Sequence, residues 1–104
     1  MSEWVEIGPM DRVPTGSGLR VEAASHRLAL FRIEDSVYAI GDRCSHAEAS
    51  LAEGELFDTE VECPRHGATF DVRTGEALTL PASRPVPTYE TKVESGSVFV
   101  RLES

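Results

Sequence analysis

The sequence has little positive charge and no long apolar run. Its 104 residues include 10 Lys and Arg against 18 Asp and Glu, which gives a formal net charge of −8. Such a chain is a poor candidate for nucleic-acid binding, since phosphate backbones demand Lys and Arg. The sequence has no run of about eighteen apolar residues, the length that a membrane-spanning helix needs. The acidic segment Met1–Trp4 lacks the apolar core of a signal peptide. We therefore expect a cytoplasmic protein.

A long helical period is also missing, and short alternating runs take its place. The segment from His26 to Ile33 is apolar on both faces in its middle, which predicts a central strand. A hairpin is expected across Asp58, and another across Ser95-Gly96. The only helix-compatible stretch is short, about Ala47 to Leu51. The pattern predicts one all-β domain over residues 1–104, a sandwich or small barrel of short strands.

Cysteine and histidine are scarce, and nearly all of them fall into two short clusters. The first is Cys44-Ser45-His46, and the second, sixteen residues later, is Cys63-Pro64-Arg65-His66. Each cluster offers one thiolate and one imidazole, donors that suit zinc, copper or iron–sulfur centres. The spacing therefore predicts a metal site held by Cys44, His46, Cys63 and His66. With both cysteines used as ligands, none remains for a disulfide, which is typical of a reducing compartment.

The ligand set leaves two kinds of metal site open. One is a closed, tetrahedral zinc site, and the other is a [2Fe–2S] cluster in which two histidines replace two cysteines on one iron. Common zinc fingers group like ligands, Cys with Cys and His with His, whereas here each loop carries one of each, which favours iron–sulfur. Buried core residues or a Cys–His nucleophile are weaker interpretations, because neither explains two matched pairs.

The motif Cys-x-His, sixteen residues, Cys-Pro-x-His-Gly resembles the Rieske ferredoxin signature. Phe70-Asp71, Thr74-Gly75 and the proline-containing run 80–87 extend the resemblance over nearly the whole chain. It is most like the small soluble ferredoxins of bacterial aromatic-ring-hydroxylating dioxygenase systems. The resemblance implies one Rieske [2Fe–2S] cluster per chain, with Cys44 and Cys63 on the inner iron and His46 and His66 on the outer iron. It also implies a Rieske-type antiparallel fold with a cluster-binding subdomain inserted at about residues 43–71.

A catalytic iron site and a nucleotide fingerprint are both missing. A Rieske oxygenase needs a second iron held by two His and a carboxylate, and only His26 remains after the cluster ligands. No Gly-x-Gly-x-x-Gly segment indicates a bound flavin or nicotinamide. We expect a monomeric one-electron carrier, not an enzyme, that passes electrons from an NAD(P)H-dependent flavin reductase to a terminal non-haem iron dioxygenase.

Three alternative functions stay open at this point. The first is the Rieske small subunit of a nitrite reductase-like enzyme, and the second is a redox accessory in iron–sulfur cluster assembly. The third, from a different class, is a zinc-stabilised binding module.

Acidic residues concentrate between the two ligand clusters, and residues 47–62 contain no Lys or Arg. The acids are Glu48, Glu53, Glu55, Asp58, Glu60 and Glu62. They could be an ordinary solvated surface or a docking face for basic partners, where opposite charge speeds encounter.

The neighbours of the ligands bear on the reduction potential. High-potential Rieske relatives in cytochrome bc complexes have two further cysteines, at positions that match Ala49 and Arg65 here. They also have a Ser and a Tyr that donate hydrogen bonds to sulfur, where this chain has Ala68 and Phe70. Such donors stabilise the reduced cluster. The resemblance therefore implies a potential near the lower end of the Rieske range of about −150 to +300 mV.

Overall fold

Strands are the only regular elements longer than a single turn in the described part of the chain. The computed structural model describes residues 2–45, 48–65, 67–80, 82 and 84–103. The strands are β1 (Ser2–Pro9), β2 (Gly18–Ala23), β3 (His26–Ile33), β4 (Ser36–Gly41), β5 (Leu56–Phe57), β6 (Glu60–Glu62), β7 (Thr69–Asp71), β8 (Thr88–Tyr89), β9 (Thr91–Glu94) and β10 (Ser97–Glu103). Two 3₁₀ turns, Met10–Arg12 and Leu51–Glu53, complete the elements. No helix within these described ranges is long and apolar enough to cross a membrane.

The strands form three sheets. Their orders are β1-β10-β9, β2-β3-β4-β8 and β5-β6-β7, and every strand pair within them is antiparallel. The third sheet lies within the segment predicted as the inserted subdomain. The all-β, antiparallel prediction is therefore confirmed.

Strand β3 is the central strand, as its apolar middle predicts. It pairs with β2 on one side and β4 on the other, and residues 28–31 are fully buried. Alternate side chains enter two different cores, because successive residues of a strand point to opposite faces. Leu28 and Leu30 pack in what we call the base core, with residues from β1, β4 and β10. Ala29 and Phe31 pack in what we call the cysteine core, which contains Cys44 and Cys63.

The chain crosses between two sheets at Glu90. Alternation from Tyr89 to Glu94 predicts one continuous strand, but the structure splits it. Tyr89 pairs with Ala39 in the central sheet, whereas Thr91 pairs with Val100 in the β1-β10-β9 sheet. Periodicity reports which face of a strand is buried and not which neighbour it pairs with, so the corner has no sequence signal.

The predicted turns are confirmed, and the helix-compatible stretch is not helical at its described residues before Leu51. Asp58 has a φ of +54° between β5 and β6, and Ser95 and Gly96 turn β9 into β10. For the helix-compatible stretch, Ala47 lies outside the described residues and Ser50 is extended, with the 3₁₀ turn starting only at Leu51. Instead of bonding a preceding residue of the same turn, the Leu51 N–H donates across the loop to the Asp42 carbonyl.

Candidate metal centre

The first ligand loop follows β4 directly. Cys44 is 3 % exposed, and its N–H donates to the carbonyl of Ala49 at 3.1 Å. An isolated bridge between Arg43 and Ser50 closes the loop one residue further out on each side. The chain thus leaves the sheet, makes a short excursion and returns, with the thiol on its buried side.

The second ligand loop joins β6 to β7 and repeats this arrangement. Cys63 is 1 % exposed, and its N–H donates to the carbonyl of Ala68 at 2.7 Å. The Gly67 N–H donates back to the Cys63 carbonyl at 3.1 Å, with Gly67 at φ +74°, a conformation that favours glycine. In both loops the cysteine N–H bonds the carbonyl five residues on, so the two thiols come from equivalent local structures.

Both thiols enter the same apolar core. Cys44 and Cys63 pack in the cysteine core together with Val61 and Phe70. One buried cysteine is ordinary, because free Cys behaves as a small apolar residue. Two buried cysteines on equivalent, closed loops form a donor set that fits the thiolate end of an iron–sulfur cluster, since such clusters are held by Cys thiolates and tuned by solvent exposure.

The two predicted histidine ligands, His46 and His66, lie outside the described residues. Their ligand roles stay predictions. On the loops that carry them, Glu48, Arg65 and Gly67 are exposed, so the sides of the loops opposite the thiols reach the molecular surface.

One polar contact joins the two ligand loops at the surface, and a second lies within the first loop. Arg65 Nη1 donates to the Glu48 carbonyl at 3.5 Å, and Arg43 Nη2 lies 3.2 Å from Glu48 Oε2. Because these side chains are exposed, each contact stabilises the loops by well under about 1 kcal/mol. The shared core, not these surface contacts, holds the loops together.

A third loop packs against both ligand loops. Within its described residues, 82 and 84–87, Ala82 and Val86 are buried in the cysteine core. The Ser45 hydroxyl donates to the Arg84 carbonyl at 2.7 Å, which ties this proline loop to the first ligand loop. Pro85, Pro87 and Cys44 line an open cleft there. Pro81, quoted in the sequence pattern, lies outside the described residues.

Two anchors fasten the proline loop to the rest of the fold. The Val86 N–H donates to the Gly75 carbonyl, and the Gly41 N–H donates to the Pro87 carbonyl, both at 2.9 Å. Gly75 belongs to the turn after β7, where Asp71 accepts hydrogen bonds from the backbone and side chain of Arg73. The Arg73 side chain holds the pKa of the Asp71 carboxyl below its usual value of 3.8.

Ala68 and Phe70 are fully buried in the cysteine core. Neither side chain carries a hydrogen-bond donor. Their burial beside the thiols is consistent with the low potential that the resemblance implies.

The acidic residues between the loops lie on the surface. Glu53, Glu55, Asp58 and Glu60 are exposed, and none of the four forms an ion pair within the described ranges. Phe57, in the middle of the segment, is 51 % exposed. The acids are therefore uncompensated by neighbouring cations of the described surface.

Sequence reasoning missed Asp42, which is fully buried two residues before Cys44. Its position in the sequence could have identified it, because an acid at the end of a buried strand and close to a proposed ligand needs polar partners. His26 Nε2 lies 2.9 Å from the Glu103 carbonyl, and its ring meets Tyr89 edge-on at 5.6 Å.

The described structure is a small all-β domain in which two cysteine loops meet over one core. The chain belongs to the Rieske [2Fe-2S] domain family, which matches residues 3–90. It is 48 % identical over 95 residues to the 3-phenylpropionate/cinnamic acid dioxygenase ferredoxin subunit of Escherichia coli strain K12, covering 90 % of this chain and 89 % of that protein.

Solved structures agree in fold. The ferredoxin of carbazole 1,9a-dioxygenase from Nocardioides aromaticivorans IC177 is 36 % identical, with a TM-score of 0.90 over 93 % of this chain and 95 % of that one. A chain in a complex of reduced oxygenase and oxidised ferredoxin in carbazole 1,9a-dioxygenase is also 36 % identical, with a TM-score of 0.87 over 93 % and 91 %. A nitrite reductase small subunit from Mycobacterium tuberculosis is 26 % identical, with a TM-score of 0.88 over 100 % and 98 %.

Proposed function

We propose that this protein is a Rieske ferredoxin that carries one electron at a time to a terminal non-haem iron dioxygenase. The observation that carries the proposal is the pair of equivalent loops that bury Cys44 and Cys63 in one core. Family membership and 48 % identity to a dioxygenase ferredoxin subunit support it.

The proposed ligands of a single [2Fe–2S] cluster are Cys44, His46, Cys63 and His66. The buried thiols suit the inner iron, and the exposed outer sides of the loops suit the iron that carries histidines. When bound, the cluster supplies reversible one-electron oxidation and reduction. The protein's own part is to exclude water from the sulfur end and to present the other end to a partner.

The proposal treats the chain as a carrier and not as an enzyme. A mononuclear oxygenase iron needs two further histidines and a carboxylate, and the chain has only His26 left. That histidine is engaged with the Glu103 carbonyl and the Tyr89 ring. Bond chemistry on a substrate is therefore assigned to the partner.

The proposed partners are a flavin-dependent reductase, which donates the electron, and the terminal oxygenase, which accepts it. The ferredoxin–oxygenase complex of carbazole 1,9a-dioxygenase supports the second by analogy. Exposed acids without ion pairs, on the described part of the segment between the ligand loops, suit brief contacts with basic surfaces. We place the protein in the cytoplasm, since both cysteines are assigned to the cluster and none to a disulfide, and we expect it to be a monomer.

Anaerobic purification followed by visible absorption and EPR spectroscopy tests the proposal. We expect a coloured protein with about two irons per chain that gives a Rieske EPR signal on one-electron reduction. The matched variants Cys44→Ser and Cys63→Ser should lose the signal, whereas His26→Gln should keep it. A colourless protein that contains zinc would support the binding-module alternative instead.

Whether the protein forms a stable complex distinguishes a free electron carrier from a permanent subunit of a larger enzyme. If the protein co-purifies in fixed ratio with a large enzyme through size-exclusion chromatography, the nitrite reductase-like role is correct. A free monomer that is reduced by a flavin reductase and reoxidised by an oxygenase supports the dioxygenase role. The higher identity to the dioxygenase ferredoxin, 48 % against 26 %, favours this second outcome.

A further inference from the structure

A buried carboxylate lies directly beneath the first ligand loop. The Asp42 side chain has no exposed surface, and the residue stands two positions before Cys44. Burying a charge is costly unless the charge is paired and hydrogen-bonded. A carboxylate at this position therefore needs specific hydrogen-bond partners, and the identity of those partners indicates its role.

The Asp42 side chain has a different set of partners on each oxygen. Oδ1 accepts hydrogen bonds from the Ser50 hydroxyl at 2.8 Å and from the Ala52 N–H at 2.9 Å. Oδ2 accepts a hydrogen bond from Arg27 Nε at 2.6 Å, with Arg20 Nε 3.8 Å away. An anion satisfies all these donors, whereas an amide would turn one of its own donors toward them.

The backbone of Asp42 also forms hydrogen bonds with strand β3 and with the return of the first ligand loop. Its N–H donates to the Arg27 carbonyl at 3.1 Å, and its carbonyl accepts from the Leu51 N–H at 2.7 Å. Residue 42 is where the chain enters the first ligand loop, and residues 50–52 are where it returns. Asp42 therefore joins the entry of the loop, its return and strand β3 in one buried network.

Arg27 connects this network to an open cleft beside Cys44. It lines the same open cleft as Cys44, Pro85 and Pro87, so the residue that pairs with the buried carboxylate also borders the proline loop. Hydrogen-bonded partners behind a metal ligand commonly fix the ligand's orientation.

We propose that Asp42, with Arg27, is a positioning residue that holds the first ligand loop and thereby fixes Cys44 toward the cluster. The proposal rests on the proposed function, because it assumes that Cys44 is a cluster ligand. Its consequence is that the carboxylate controls cluster retention and the electronic environment of the cluster, beyond its contribution to folding.

The test compares three variants with a matched control. Asp42→Asn keeps the shape and removes the charge, Arg27→Gln keeps a donor within reach of Oδ2 but removes its positive charge, and the double variant lets a Gln carbonyl accept from the Asn amide. Glu90→Gln is the control, since Glu90 is also paired with an arginine, Arg101 of β10, away from the cysteine core. Each purified protein is scored for thermal unfolding, iron release to a chelator and the EPR spectrum of the reduced cluster.

We expect Asp42→Asn and Arg27→Gln to release iron about tenfold faster than wild type, because loss of the groups that orient a metal ligand commonly weakens metal binding by at least that factor. Their EPR g-values should also shift. The double variant should recover much of this loss, and Glu90→Gln should keep wild-type iron release and a wild-type EPR spectrum. If Asp42→Asn does not fold, Ser50→Ala removes one Oδ1 partner and should show the same changes in smaller degree.

Two outcomes overturn different statements. Lower melting temperatures with wild-type iron release and wild-type EPR spectra would overturn the positioning role, since that pattern is purely structural. A wild-type protein without any Rieske signal would overturn the proposed function itself, whatever the variants do.

Discussion

At the scale of single residues, two of the side chains packed in the cysteine core with the Cys44 and Cys63 thiols cannot donate hydrogen bonds. Ala68 and Phe70 are fully buried beside the thiols, where the chain returns from the second ligand loop into β7. Potentials of iron–sulfur centres depend on hydrogen bonds to sulfur and on solvent exposure. We therefore expect substitutions at these two positions to change the potential without any change of ligand.

Adding donors at these positions should raise the reduction potential. Ala68→Ser and Phe70→Tyr each place a hydroxyl in the cysteine core, where a donor to sulfur stabilises the more negative, reduced state. We expect the wild type near about −150 mV, the lower end of the Rieske range, and a higher value for each variant. Protein-film voltammetry near pH 7 measures both.

The control for this prediction is Phe99→Tyr, which adds the same hydroxyl on the β1-β10-β9 sheet. Its potential should equal that of the wild type. A clearly positive wild-type potential, or unchanged values in the two variants with intact clusters, would contradict the prediction.

Asp71 contributes to stability through its charge. Arg73 lowers the pKa of Asp71 in the folded protein, so the contribution is fully present above the unfolded value of about 3.9 and is lost only as pH falls through the lower folded value. Asp71→Asn should therefore destabilise the protein by about 1 kcal/mol, by the same amount throughout pH 5 to 8. Urea unfolding across that range measures the difference.

A difference that grows as pH falls from 7 to 5 would contradict the lowered pKa, because a carboxyl whose folded pKa is raised stabilises the protein as it takes up a proton. Glu76→Gln is a suitable control, because Glu76 is exposed and has no ion pair in the described structure. It should leave unfolding unchanged at every pH.

At the scale of elements, the strands with regular alternation and the two ligand loops could be predicted from the sequence. Strand β3 is confirmed from His26 to Ile33, because its apolar middle reflects burial on both faces. The meeting of the two cysteines in one core also followed from their spacing, whereas their role as metal ligands stays a prediction. What alternation could not predict was the corner at Glu90, the placement of the 3₁₀ turn at Leu51 or the buried network of Asp42, since each depends on partners distant in the chain.

The same limit applies to the turn that supports the proline loop. Thr74-Gly75 was part of the sequence resemblance, but only the structure gives its physical reason. Gly75 has φ +78°, and a Cβ atom there would lie 2.1 Å from the Val86 carbonyl oxygen. The glycine is needed both for its backbone conformation and for the close approach of the proline loop.

Gly75→Ala should therefore displace the proline loop. Gly96 is the matched control, because it has nearly the same φ, +79°, and a Cβ atom added there would meet nothing within 4 Å. We expect Gly96→Ala to cost about 1 kcal/mol from backbone strain alone and Gly75→Ala to cost clearly more. Urea unfolding gives both values, and voltammetry should show a shifted potential for Gly75→Ala only, since cluster exposure changes.

Equal destabilisation by the two substitutions would mean that the Val86 contact is easily relaxed. An unchanged potential in Gly75→Ala would mean that the proline loop does not control access of solvent to the cluster.

At the scale of the whole molecule, charge is unevenly distributed. Six of the 18 acids fall in residues 47–62, where there is no base, so the remainder of the chain holds 12 acids against 10 bases. This segment lies between the two ligand loops and carries Glu53, Glu55, Asp58 and Glu60, which are exposed and without ion pairs in the described structure. The negative field of the protein is therefore centred on the subdomain that carries the cluster.

This field should control the rate at which charged reductants reach the cluster. Reduction by the methyl viologen radical, a cation, should slow as ionic strength rises, because salt screens its attraction to the acids. Reduction by dithionite, an anion, should instead become faster. Stopped-flow absorbance of the cluster measures both rates.

In the double variant Glu55→Gln with Glu60→Gln, both salt dependences should flatten. In the matched control Glu3→Gln with Glu6→Gln, which removes two exposed acids from β1, they should remain close to wild type. Equal effects of the two double variants would mean that net charge alone sets the rates, and the acidic segment would then have no special part in partner encounter.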